Sequence, residues 1–333
     1  PYSSGYQSML INAGKTQNVG VELTVNTVNF STKKFSWNTT LTLSHNKNSV
    51  KALTGEAVQL YEARFGFNQN THRIAVGEPL GQFYGYITEG LYQVDDFNYD
   101  ASTQTYTLKD GIPYHGDKGR IRPGMWKFKN LAGDDNVIDE NDKTVIGNAQ
   151  PKFYGGLNNS FTYKGFDLSI FLTFSYGNEV LNATKLVTSK VGSLNYNALD
   201  VMNSSNRWMT INSDGQKVTD PGELAALNAG KTVAAYHDAQ QGDNYIHSWA
   251  VEDASYLKLS NVTLGYTFPK NLIARVGLKN LRLYATGNNL LTWTKYSGFD
   301  PEVSTMKSGL TPGVDFGAYP LSRSFIFGLN VAF

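Results

Sequence analysis

The sequence predicts an all-β protein, a section of a transmembrane antiparallel β-barrel with long extracellular loops. Three observations point there. Apolar and polar residues alternate with period two along most of nine segments, as strands with one apolar face require. Eight of the nine run for roughly 10–13 residues, against ~5–6 for a soluble strand and ~9–11 for a tilted membrane strand. The connections alternate short and long, as in outer-membrane barrels, whereas soluble domains rarely hold structureless loops of that length.

The first segment, 19–29, sets Val19, Val21, Leu23 and Val25 against Gly20, Glu22, Thr24 and Asn26. A turn at 31–34 leads into 35–45, where Phe35, Trp37, Thr39, Leu41 and Leu43 share a face, so the pair reads as a hairpin. Segments 71–76 and 83–92, joined by a turn at 77–81, are weaker. Residues 153–163 and 166–176 meet at Lys164-Gly165 and form the strongest pair. In the second, Phe166, Leu168, Ile170, Leu172, Phe174 and Tyr176 make an apolar stripe with aromatics at both ends, as the two interfacial girdles of a barrel require. Segments 256–268 and 281–291 form a further pair. The last segment, 322–333, carries Arg323, Phe325, Phe327, Leu329, Val331 and the terminal Phe333 on one face. With Phe333 in the periplasm, every short turn falls on that side. Within the long 177–255 loop, Asp220-Pro221-Gly222-Glu223 ahead of Leu224-Ala225-Ala226-Leu227 predicts a short helix.

Composition narrows the function. The 333 residues carry a net charge of +1, which leaves no electrostatic footprint for nucleic acid. Glycine (32), tyrosine (20) and phenylalanine (18) are abundant, as in short alternating barrel strands. Mean hydropathy is −0.34 and no run approaches the ~20 apolar residues of a membrane helix. A barrel gives the same average, because lumen-facing residues dilute lipid-facing ones. There is no cysteine, hence no disulfide framework or thiolate metal site. The chain begins Pro1-Tyr2-Ser3 without a signal peptide, and an exported protein should carry one, so an upstream segment is expected.

The competing reading is a soluble cell-surface β-sandwich or adhesin-type binding protein. Charge placement separates the two, since a lipid-facing stripe excludes charge and a sandwich's outer face welcomes it. The stripes over 35–43, 166–176 and 325–333 are free of charge.

No catalytic constellation emerges. Ser255-Tyr256-Leu257-Lys258 has the S-x-x-K spacing of acyl-enzymes, but that chemistry needs a helix, and a strand sends the two side chains to opposite faces. His45, His72, His115, His237 and His247 show no metal-ligand spacing. The segment 130–142 is the most metal-like. On an EF-hand-like register Asp135 takes position 5, the Val137 carbonyl position 7, and Asp139 and Asp142 positions 9 and 12, a set suited to Ca2+. Leu131 and Gly133 fall at positions 1 and 3 and supply no side-chain oxygen, although Asn130 or Asp134 could fill in. The alternative is an Asp/Asn-rich turn holding its own backbone. Loop aromatics Tyr61, Phe65, Phe67, Tyr196, Trp208, Tyr236, Tyr245 and Trp249 could stack on sugars, or could pack the loops together or against a partner.

Several motifs carry a family resemblance. Ala254-Ser255-Tyr256-Leu257-Lys258-Leu259-Ser260-Asn261-Val262-Thr263-Leu264-Gly265-Tyr266 is followed by Leu281-Arg282-Leu283-Tyr284, by Gly287-Asn288-Asn289-Leu290-Leu291-Thr292-Trp293, and by Gly298-Phe299-Asp300-Pro301-Glu302. Asn18-Val19-Gly20-Val21-Glu22, Val76-Gly77-Glu78-Pro79-Leu80-Gly81, Tyr163-Lys164-Gly165-Phe166-Asp167-Leu168 and Asn206-Arg207-Trp208 precede them in order. Together they resemble the C-terminal third of SusC-like TonB-dependent outer-membrane transporters. The resemblance implies a barrel of roughly 22 strands, with residues 1–333 as about its last nine. An N-terminal plug, a TonB box and about thirteen earlier strands would then lie outside these residues. It also implies energised nutrient uptake in a Gram-negative, Bacteroidota-type outer membrane, mainly of oligosaccharides and in some members of peptides. The implied partners are TonB and a SusD-like surface lipoprotein that closes the mouth. The terminal Phe333 resembles the signal read by the barrel-assembly machinery.

Overall fold

The computed structural model describes residues 14–54, 58–62, 70–133, 135–189, 197–235, 245–305 and 308–333. Its main feature is one seven-stranded sheet in sequential order. The strands are β1 (Gly14–Ser31), β2 (Phe35–Leu53), β3 (Phe153–Tyr163), β4 (Phe166–Tyr176), β5 (Tyr256–Thr267), β6 (Asn280–Thr294) and β7 (Ser324–Ala332). Each pairs antiparallel with the next. The turns at 32–34 and 164–165, the 268–279 connection and the end of β7 lie at one rim. The long connections 54–152, 177–255 and 295–323 lie at the other.

Two of the nine expected strands are not in this sheet. Residues 71–76 fall on Asn70–Ala75, and 83–92 break into Gln82–Gly85 and Thr88–Leu91; the first two belong to a separate four-stranded sheet among the long connections. A wall strand needs one exposed face, and these segments bury both: Thr71, His72, Ile74 and Ala75 are buried, as are Phe83, Tyr86 and Tyr92. The break after Gly85 follows from close packing. A Cβ there would lie 2.2 Å from the Ile246 carbonyl oxygen, which also accepts the Tyr86 N–H. The short turn at 77–81 therefore sits with the long loops, where Gly77 N–H donates to Val50 O. Losing two consecutive strands leaves the parity of the others intact.

Cross-strand register aligns the apolar stripes into a continuous outward band. Leu41 faces Leu157, Leu157 faces Leu172, Leu172 faces Leu259 and Leu259 faces Leu291. Leu264 faces Ala285 and Ala285 faces Phe327. Among the described residues no second sheet covers this band, and Val21 and Phe327 are 70% and 80% exposed. Aromatic rings mark both margins. Phe166 and Tyr266 lie 4.5 Å apart at the short-turn rim, and Phe153 stacks on Tyr176 at 4.8 Å at the other. The ten residue steps of β3 at ~3.3 Å, tilted by ~45°, span roughly the ~25 Å of a membrane band.

The buried cores lie in the long connections. One gathers Tyr86, Leu91, Trp126, Phe128, Trp208 and Leu224, and another Phe83, Leu181, Leu186, Ile246 and Val314. The expected helix is present as Pro221–Leu227, capped by Asp220, which accepts the Glu223 N–H at 3.0 Å.

Candidate functional site

The inner face of the sheet is mainly a wall of small hydroxyls and amides, because most inward residues of the strands are polar, with Phe171 and Ile326 as apolar exceptions. Neighbouring strands satisfy one another across it: Ser36 with Thr162 (2.6 Å), Ser169 to Asn158 (3.0 Å), Thr263 with Thr286 (2.8 Å), and Asn288 to Ser324 (3.0 Å). Near the short-turn rim the Arg282 guanidinium holds Asp167 through two bonds, at 3.0 and 2.6 Å, across the intervening strand. The crossing passes over Gly265, where a Cβ would come within 2.5 Å of both side chains. Arg282 also lies 5.0 Å above the Tyr284 ring, which is laid flat against Gly328.

At the mouth, Glu302 from the last long connection reaches the wall. It accepts from the Tyr256 hydroxyl at 2.6 Å and from Lys258, whose side chain is 5% exposed. A cleft of about 420 Å³ lies between the wall residues Tyr154, Ser175 and Tyr256 and the segments holding Glu302, Pro312 and Glu179. The connections above are bound to one another. His72 meets the Pro312 carbonyl at 2.9 Å, and the Tyr296 hydroxyl donates to Asp315 at 2.5 Å. Glu252 takes the Ser297 N–H and hydroxyl and the Lys185 ammonium, all at 2.9–3.0 Å.

Electrostatics fit permanent ties. Burial favours a protonated Glu252, but the Ser297 donors and Lys185 outweigh it and hold the carboxyl below its ordinary value. Burial, then the Asp315 carboxylate, pushes the Tyr296 hydroxyl well above the usual range. Burial lowers His72 from 6.5 to about 4, partly offset by the Pro312 carbonyl. His247 falls to about 3 through burial, then Lys185 and His115.

The metal-like segment is held by its own backbone. Asp142 accepts N–H groups from Leu131 (2.6 Å), Ala132 (2.9 Å) and Asp139 (2.8 Å). Burial works to raise its carboxyl, and these donors outweigh that effect and lower it. Asp139 caps Asn141 at 2.7 Å, Asp135 caps Val137 at 3.0 Å, and Val137 pairs with Tyr114; Asp134 lies outside the described residues. Among the described residues no group of three or more His, Cys, Asp or Glu is placed to hold a metal. Ser255 and Lys258 part as expected, Ser255 accepting the Gly177 N–H and Lys258 turning to Glu302.

Of the loop aromatics, Trp208 is buried beneath Gly124, and Tyr245 and Trp249 pack against the same core. Tyr61 lies on the short strand Val58–Glu62, while Phe65, Phe67, Tyr196 and Tyr236, with His237, fall outside the described residues. Sequence reasoning missed the Asp167–Arg282 and Lys258–Glu302 contacts. Inward-facing charge on barrel strands was the available signal, but partner choice needs the register.

No family model matches the chain. The whole chain aligns with TonB-dependent receptor P3 of Formosa agariphila at 33% identity over 340 residues, covering 30% of that protein. It aligns with receptor P39 of the same organism at 30% over 355 residues, covering 32%. TonB-dependent receptor SusC of Bacteroides thetaiotaomicron is 27% identical across 98% of the chain and 27% of its own length. Over its whole length the chain is similar to part of TonB-dependent receptors, SusC among them. It spans about a third of the length of the curated relatives it matches. A solved structure of the RagAB peptide transporter covers the whole chain with a TM-score of 0.68 at 21% identity, and 31% of that structure's own chain. SusC-like receptors are outer-membrane proteins and not enzymes, which accords with a sheet that turns its apolar band outward. The sheet thus matches a stretch of such a receptor's barrel in fold.

Proposed function

We propose that residues 1–333 are the C-terminal portion of one importer barrel, whose plug and remaining strands belong to the same protein. A nutrient passes along the wall under TonB-coupled energy, and no bond of the nutrient is made or broken. A SusD-like surface lipoprotein docks on the loops and closes the mouth. The observation that carries this reading is the two-faced sheet, apolar outside and hydrogen-bonding inside, with all its long loops at one rim. The substrate class we favour is oligosaccharide, supported by an inner wall of hydroxyls and amides with few charges. The RagAB likeness keeps peptides as the rival class.

The test is uptake by cells carrying the full-length receptor as their sole importer of a labelled neutral oligosaccharide panel and a peptide panel. Oligosaccharide uptake that disappears with TonB supports the proposal. Uptake of peptides alone overturns the substrate class, and uptake that persists without TonB overturns the mechanism. Truncating Phe333 should lower outer-membrane abundance if it is the barrel-assembly signal. For the 130–142 loop, Ca2+ bound by Asp135, Asp139, Asp142 and the Val137 carbonyl would compete with the N–H donors described above. We therefore favour a self-bonded turn. A protease pattern unchanged by chelator supports it, and new cleavage near residue 134 in chelator supports Ca2+.

A further inference from the structure

The inward cleft at the mouth holds two groups that the ties around it do not use. Tyr154 and Tyr256 stand in one inward row of the wall, on β3 and β5, with Ser175 of β4 between them. Tyr256 is engaged, since its hydroxyl donates to Glu302 at 2.6 Å. Tyr154 is 43% exposed, and its hydroxyl has no protein partner among the described residues. It is also the one aromatic in an inward row that continues Gly156, Asn158, Ser160 and Thr162. A ring placed there has an open face and an open edge.

The second unused group is an oxygen of Glu179. Its Oε2 accepts the Asn148 N–H at 2.7 Å, and among the described residues no donor reaches Oε1. The other carboxylate of the cleft, Glu302, is neutralised by Lys258. Pro151, Pro301 and Pro312 form part of the remaining walls. Their fixed φ angles stiffen the backbone on either side, so the cleft is largely preformed. The Glu302 tie to the wall keeps the last long connection from closing over Tyr154.

We infer that this cleft is a subsite for one sugar ring of the imported oligosaccharide, stacked on Tyr154 and hydrogen-bonded to Glu179. An ionised carboxylate only accepts, so the ligand must donate at its edge, and the open Tyr154 face takes C–H groups. A sugar ring presents both. A phosphate or carboxylate would meet Glu179 and Glu302, and a wholly apolar molecule would leave the Glu179 oxygen buried without a donor. A lysine or arginine side chain of a peptide is the rival occupant. The inner wall beyond the cleft, mainly hydroxyls and amides, suits a neutral polyol along its length and a cation only at Glu179.

The inference rests on the oligosaccharide reading above, and its test separates the two. Cells carrying the full-length receptor as sole importer, with its native partners, are offered labelled maltohexaose, laminarihexaose, cellohexaose, xylohexaose and an alternating Ala/Lys peptide. For a sugar that wild type imports, Tyr154→Ala should raise the half-saturating concentration about tenfold, while Tyr154→Phe, which keeps the ring, stays close to wild type. Glu179→Gln keeps an acceptor for Asn148 and should also raise it, by roughly tenfold. Outer-membrane abundance and maximal rate should hold in all three, whereas a merely structural role would lower both. Sugar uptake with an unaltered half-saturating concentration in Tyr154→Ala, or with an equal rise in Tyr154→Phe, overturns the subsite and leaves the oligosaccharide reading standing. Uptake of the peptide and of none of the sugars overturns that reading, and the subsite with it. If Tyr154→Ala fails to assemble, Glu179→Gln decides by the same measure.

Discussion

The wall and the loops solve opposite problems with the same chain. In β1–β7 most large apolar residues point out with no protein covering them, and most polar ones meet each other on the inside. In the connections, Phe83, Phe128, Trp208 and Ile246 are sealed from solvent, as in a soluble domain. The wall therefore takes its stability from the bilayer and from ladder hydrogen bonds, with no alternative partner for its backbone in lipid. The loops take theirs from close packing in water. A substitution should thus act on one region and spare the other.

The largest effect is expected from charge in the band. Ile170 stands mid-strand on β4 between Asn159 and Val262. Ile170→Arg should destabilise the inserted wall by ~2–4 kcal/mol and sharply reduce outer-membrane abundance. Ser169→Arg, one residue away on the inner face, should insert normally. Immunoblots of outer-membrane fractions decide this; equal abundance of the two variants would break the contrast. Next comes Gly124, which has a φ of +85° and leaves no room for a Cβ, since one would lie 2.3 Å from the Trp208 ring. Gly124→Ala adds left-handed strain to overpacking and should destabilise the loop core by ~2–4 kcal/mol. Protease should then nick the 197–235 segment, while the barrel stays in the membrane and resists cleavage.

This division also explains how much was legible in sequence. Strands β3 and β4 have the expected bounds, because a wall strand has one environment on each side and period two reports it directly. The extension of β2 to Leu53 was missed because its far end, at Val50, is buried under loop residues and no longer alternates against lipid. Segments 71–76 and 83–92 were misplaced for the same reason, since a buried loop strand and a wall strand look alike over six residues. The three backbone N–H groups that Asp142 accepts were not legible in sequence, because carboxylates in a turn serve either metal or backbone. The Asp167–Arg282 pair, 115 residues apart, depends on a register that no local pattern encodes.

Acid should loosen the loops and spare the wall. His72 and His247 are held neutral, at about 4 and about 3 against 6.5 when unfolded. Because their folded values are depressed, their contribution is fully present above pH 6.5. It declines as the unfolded chain gains protons, down to about pH 4 for His72 and about pH 3 for His247. Protection factors at the Phe83 and Ile246 amides, which correct for the intrinsic pH dependence of exchange, should fall across that window, with those of β3 and β4 amides unchanged. An equal fall in both regions would show that the loops and the wall unfold together.

The smallest effect probes whether the wall has any side-chain interaction worth measuring beyond its ladder. Asp167 and Arg282 are partly exposed, at 36% and 25%, so their pair should contribute ~1 kcal/mol or less. Gly265→Ala would force the two apart, because its Cβ would lie 2.5 Å from each. If separation is the only consequence, Gly265→Ala and Asp167→Asn should destabilise the full-length receptor by similar small amounts. Their combination should then be no worse than either alone. Additive losses in urea titrations of refolded receptor would mean that the glycine serves the backbone of β5, as the close approach of strands serves the wall elsewhere. Non-additivity would make Gly265 the one wall residue whose role is to let a charge pair cross a strand.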